Sequence, residues 1–211
     1  MVQDERVKVW DIAVRVLHWS LVVMFLVAYI SGDDESLLHV YSGYGVLGLV
    51  AFRIVWGLVG TKYARFADFV YGKTETVRYV RSLLALKPIH YIGHNPLSGW
   101  MVVALLVSLT GACWSGLEAY GARGHGPLAE LRAPGISAAM AHDEEERAGR
   151  RESGTGRTPE SQMWHEIHEA LSNFTLFLVF MHILGALSAS AMHGENLVKA
   201  MITGYKQRRT P

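Results

Sequence analysis

Cysteine is nearly absent from this chain: its single thiol, Cys113, lies inside an apolar run. One thiol cannot close an internal disulfide, and there is no C-x-x-C-H to attach a c-type haem covalently. An excess of charge of one sign is missing too. Lysine and arginine number 20 against 19 acidic residues, a formal balance of +1, so nothing points to nucleic acid as a partner. No A-x-A cleavage site follows the first apolar segment, which also carries Arg15 and His18, so it reads as an uncleaved helix rather than a signal peptide. No internal repeat is present.

What the chain does have is long apolar runs. Half of its 211 residues are hydrophobic, and they are concentrated in four stretches, 13–30, 37–60, 97–117 and 164–189. Each is long enough to cross a ~30 Å hydrocarbon layer as a helix. The reading is an all-α integral membrane four-helix bundle that makes one domain of residues 1–211, in contact with membrane lipid. GDDES between the first two runs is so short that they must be antiparallel neighbours. TETVRYVRSLLALK, between the second and third, reads as an amphipathic surface helix. Residues 119–163 are polar, contain glycine and proline and include DEEERAGRRE; they read as a mostly flexible outer loop. Four spans put both ends of the chain on one side. That side carries thirteen lysines and arginines near the span ends and the other six, so both termini are expected in the cytoplasm of a bacterial inner membrane.

The fourth run holds histidines where an ionisable side chain is expensive. His168 and His182 are fourteen residues apart. At ~100° per residue they return to within ~40° of one helix face, and ~21 Å of rise separates them. His18 enters its span early from the cytoplasmic side, and His39 enters its span early from outside. Four imidazoles therefore sort by depth into an inner pair, His18 with His182, and an outer pair, His39 with His168. Two neutral imidazoles facing each other at one height are the axial ligands of a low-spin b-type haem. Zinc would want four donors close together, whereas each level offers two.

Neighbouring residues fit a flat macrocycle less specifically. Gly43 follows His39 by one turn, and Gly185 and Ala186 follow His182; glycine for close helix packing explains them as well. Arg15 shares a face with His18 and either pairs with a haem propionate or is a plain cytoplasmic charge. Arg53 lies inside the second run, where a lipid-facing arginine is costly, so it is expected to face the bundle and neutralise an inner propionate. His165 is placed above the outer pair and His193 beyond the inner one. His90 and His94 fall in the cytoplasmic loop, and His125 and His142 in the outer one.

R-V-L-H-W around His18, H-V-Y-S-G-Y-G from His39, G-H-N-P-L-S-G before the third run, the H-x13-H spacing and the tail H-G-E-N-L-V-K-A-M-I-T-G together resemble the prokaryotic cytochrome b561 family. That family includes the b-type cytochrome subunits of nickel–iron hydrogenases and is similar to the gamma subunit of respiratory formate dehydrogenase. The resemblance covers nearly the whole chain. It implies two haem b groups, with His18 and His182 holding the inner and His39 and His168 the outer, and a quinone site beside the inner haem. By likeness to formate dehydrogenase relatives Asn95 would lie at that site; read from its residues alone, Asn95 caps the third helix ahead of Pro96. Glu195 and Asn196 are further inner-side candidates.

The function expected is that of a di-haem membrane cytochrome passing electrons between a periplasmic redox protein, or hydrogenase-type subunits, and the quinone pool. Two other readings stand beside it. One is a stand-alone quinone-linked oxidoreductase taking electrons from a small donor such as superoxide. The other is a metal or proton transporter, which would be colourless.

Overall fold

A computed structural model describes residues 5–32, 36–85, 89, 91, 93–132, 158–194 and 196–208. In chain order it contains β1 (Glu5–Lys8), α1 (Ile12–Ile30), α2 (Leu37–Val59), the single turn α3 (Phe66–Phe69) and α4 (Lys73–Leu84). Then come α5 (Pro96–Gly121), α6 (Gly126–Arg132), α7 (Pro159–His193), α8 (Leu197–Thr203) and β2 (Tyr205–Arg208). Four helices, α1, α2, α5 and α7, are long and apolar enough to cross a membrane. The protein is thus an all-α membrane bundle, as the apolar runs required.

Each spanning helix begins on a side chain that supplies an acceptor to its unpaired first turn. Asp11 accepts from the Val14 amide at 2.7 Å, Ser36 from His39, Asn95 from Ser98 at 2.8 Å and Thr158 from Ser161. Proline stands at the first positions of α5 and α7, where it sacrifices no helical hydrogen bond. Gly194 (φ 61°) and Gly204 (φ 88°) end α7 and α8 in the left-handed region that glycine adopts freely.

The helices run somewhat beyond the apolar runs. α5 continues to Gly121 and α7 starts at Pro159, because polar residues with good capping extend a helix without raising its hydropathy. Of the segment expected as a flexible loop, 119–132 and 158–163 are therefore largely helical, while 133–157 lie outside the described residues. The amphipathic surface helix is present as α4.

Packing is strongest between α5 and α7, then between α1 and α2. Ser108, Ala112, Ser115 and Ala119 are buried along one face of α5, small side chains that let backbones approach where no aqueous hydrophobic effect drives association. Ser108 Oγ meets Thr175 Oγ1 of α7 at 2.6 Å, and Thr175 also donates to the Leu171 carbonyl. Phe25, Val46, Val50 and Leu109 form the core at mid-bundle. Outward-facing Phe174, Phe177, Phe180, Ile183 and Leu187 leave one side of α7 exposed, which is lipid-facing surface in a spanning helix.

β1 pairs antiparallel with β2, Glu5 opposite Arg208 and Lys8 opposite Tyr205. Both ends of the described chain therefore lie at one end of the bundle, hereafter the sheet end. There Val9, Trp10, Val14, Ala64 and Ala200 form a second core. The amides of Val9 and Trp10 both donate to the Gly204 carbonyl, at 2.9 and 3.1 Å, fastening the C-terminal segment over the helix ends.

Candidate cofactor site

Two histidine pairs face each other across the bundle. His18, two turns into α1, has its ring centroid 6.4 Å from that of His182, with the planes at 52°. His39, in the first turn of α2, stands 5.8 Å from His168, with the planes at 80°. These are the pairs that depth matching put together. The first lies toward the sheet end, the second toward the opposite end.

The far pair has its protons assigned by its neighbours. His39 Nδ1 donates to the Ala28 carbonyl at 2.8 Å, one of the terminal carbonyls of α1 that lack a helical amide. His168 Nδ1 donates to the Ala112 carbonyl, also at 2.8 Å. A carbonyl only accepts, so both rings carry a proton at Nδ1, which in the neutral imidazole leaves the Nε2 lone pair for a metal. His18 Nδ1 is buried and has no hydrogen-bond partner among the described residues.

The spacing and surroundings fit a haem. Metal–imidazole bonds of about 2 Å on opposite sides of one ion put two ring centroids about 6 Å apart. Among the described residues no group of three or more His, Cys, Asp or Glu is arranged to hold a metal ion. A two-imidazole site suits an ion that arrives with four equatorial ligands of its own, as haem iron does. Room exists for them, since α7 packs on α5 and its backbone hardly approaches α1 or α2, from which the opposing rings come. A side-chain carbon built on Gly43 or on Gly185 would meet nothing within 4 Å, so both glycines border open space.

Charge gathers at the sheet end. Arg53 is buried, as its position inside the second run implied, with its guanidinium 5.2 Å from the Phe66 ring centroid and 5.9 Å from that of Phe69. Arg15 donates from Nη1 to the Ile202 carbonyl, so it ties α1 to α8. Asn95 caps α5 through its side-chain carbonyl oxygen, which engages the amide in structure. Asn196 likewise caps α8. At the opposite end Arg123 approaches His165 at 3.5 Å. His125 stacks on Tyr120. His90, His142 and Glu195, and the side chain of His193, lie outside the described residues.

Two residues escaped the sequence reading. His94, expected in a loop, is clamped between Trp10 and Phe69 at 4.6 and 4.5 Å between ring centroids. Burial, helped by the Arg53 and Lys206 charges, pushes its imidazole down to about 3, so it is neutral. Gly116 lies beside His168: a carbon added there would stand 3.0 Å from Cε1. His94 left no trace in local sequence because its partners are remote in the chain, whereas Gly116 was one small residue among many.

The family model for prokaryotic cytochrome b561 matches residues 9–204. A probable Ni/Fe-hydrogenase B-type cytochrome subunit of Cupriavidus necator strain H16 is 23% identical over 230 aligned residues, covering 94% of this chain and 86% of that protein. No solved structure matches. With residues 9–204 matched across a four-span bundle, the chain belongs to the prokaryotic cytochrome b561 family and is a membrane-embedded, haem-binding cytochrome of electron transport.

Proposed function

We propose that this cytochrome holds two b haems, the inner between His18 and His182 and the outer between His39 and His168. It would link a periplasmic redox protein to the membrane quinone pool. The observation that carries the reading is the pairing of imidazoles at two levels, at 6.4 and 5.8 Å, across a space that α7 leaves beside α1 and α2. When bound, each haem supplies a one-electron couple at its iron. The protein's own part is to fix ring orientation through Ala28 and Ala112, to keep water away and to set the electrostatics around each level.

The sheet end is the cytoplasmic side of the inner membrane in this reading, with both termini there, in line with the surplus of lysine and arginine on it. The electron donor outside is a hydrogenase-type subunit or a c-type cytochrome; the Cupriavidus relative, named as a hydrogenase cytochrome subunit, favours the first. The quinone binds near Asn95 at the sheet end. Further along α5, a largely apolar groove lined by Ile54, Phe66, Val70, Val103, Leu106, Val107 and Thr110 suits an isoprenoid tail.

The test is a reduced-minus-oxidised spectrum of the purified full chain with a pyridine haem count, followed by mixing the reduced protein with a soluble quinone. Two b haems per chain that reoxidise with quinone support the reading. A colourless protein would favour the transporter class instead.

A further inference from the structure

Arg53 is a buried cation without a hydrogen-bonded acid among the described residues. Its Nη1 is buried and has no hydrogen-bond partner among the described residues. The rings of Phe66 and Phe69 attend the guanidinium but supply no oxygen to accept from it. Asp11, the acid that acts on Arg53, is already engaged by the Val14 amide, the Trp56 indole and the Thr61 hydroxyl. An uncompensated buried charge is strongly destabilising, and so is a buried donor left without an acceptor.

The same Phe69 ring that faces Arg53 packs on His94, whose buried Nδ1 also lacks a partner among the described residues. His94 cannot turn away to water, because Trp10 closes its other side and Trp10 is itself fastened to Gly204. Arg53 and His182 both act electrostatically on His94, and all three lie toward the sheet end. A guanidinium nitrogen and an imidazole nitrogen thus flank one phenylalanine ring, neither with a partner among the described residues.

We propose that Arg53 and His94 form a carboxylate pocket that receives a propionate of the inner haem. This rests on the assignment of His18 and His182 as that haem's ligands. A carboxylate suits both groups, because it neutralises the guanidinium and accepts from an imidazole N–H through charge-assisted bonds. A quinone carbonyl would accept a hydrogen bond but would leave the buried charge of Arg53 unbalanced. The pocket also has a redox consequence: a fixed cation beside the haem favours its more negative, reduced form and raises its midpoint potential.

The experiment compares purified, haem-loaded wild type with Arg53→Gln, Arg53→Lys and His94→Gln by redox titration and resonance Raman spectroscopy. Arg53→Gln and His94→Gln are expected to keep two haems, lower the midpoint of one of them and shift its propionate-bending band. Arg53→Lys, which keeps the charge, is expected to restore most of the midpoint but not the band. Unchanged bands and midpoints overturn the proposal, including the case where only the KM for a soluble quinone rises, which would make this a quinone subsite. Should Arg53→Gln fail to assemble, unaltered bands in Arg53→Lys and His94→Gln overturn it just as well. A wild-type chain without haem overturns the haem reading itself, and this pocket with it.

Discussion

His168 Nδ1 lies 2.8 Å from the Ala112 carbonyl oxygen on the neighbouring helix α5. That carbonyl also accepts from the Ser115 hydroxyl at 3.0 Å, so the ring is seated at a crowded acceptor. Access depends on Gly116, where a side-chain carbon would stand 3.0 Å from Cε1 and 3.1 Å from Nδ1 of the ring. An alanine forces the imidazole to give by a few tenths of an ångström; a β-branched residue leaves it nowhere to go. Gly116→Val is therefore expected to halve the haem count, from two per chain to one, with the remaining haem spectrally unchanged. Gly116→Ala is expected to keep both and alter the low-spin spectrum of one. A pyridine haem assay with optical spectra checks this, and a Gly116→Val protein retaining both haems unaltered would contradict it.

Ser108 and Thr175 share the buried 2.6 Å bond between α5 and α7. Side-chain hydrogen bonds between spanning helices contribute modestly, about 0.6 kcal/mol on average and about 1.7 at most. A double-mutant cycle with Ser108→Ala and Thr175→Val, read by unfolding in detergent, is expected to give a coupling within that range. A coupling indistinguishable from zero would show that the bond does not hold the helices together.

Asp11 caps α1 and ties it to α2 and the following turn through Trp56 and Thr61. Burial, the largest influence, favours the neutral acid, but the donors of Thr61, Val14, Trp56 and Ala13 together outweigh it and hold the carboxyl below its ordinary 3.8. The stability it contributes is present above 3.8, the unfolded value, and is lost as pH falls through the lower folded value. Asp11→Ala removes the cap and is expected to cost about 1 kcal/mol at neutral pH. Asp11→Asn is expected to flatten the acid limb of a melting-temperature profile in detergent. An acid limb identical to wild type would remove this carboxylate from the account.

How much of this could be read from sequence differs by element. The spans were legible because hydrocarbon imposes a length and a composition on them, and the ring pairing because two intervals, His18 within α1 and His168 to His182, fix height along a helix. The β1–β2 pairing was not, since ERVK and YKQR are four-residue strands without an apolar pattern and their partnership spans the whole chain. His94 was equally hidden: its neighbours Trp10 and Phe69 are brought to it only by the fold. Asn95 allowed two readings in sequence; its bond from the Ser98 amide expresses the capping one.

The central claim is that the four imidazoles act as two ligand pairs, and single alanine variants of each address it most directly. Haem count and midpoint potentials are measured on His18→Ala, His39→Ala, His168→Ala and His182→Ala in the full chain. The account predicts that His18→Ala and His182→Ala lose one and the same haem, and that His39→Ala and His168→Ala lose the other. Variants that keep both haems, or that lose them in any other combination, would contradict it.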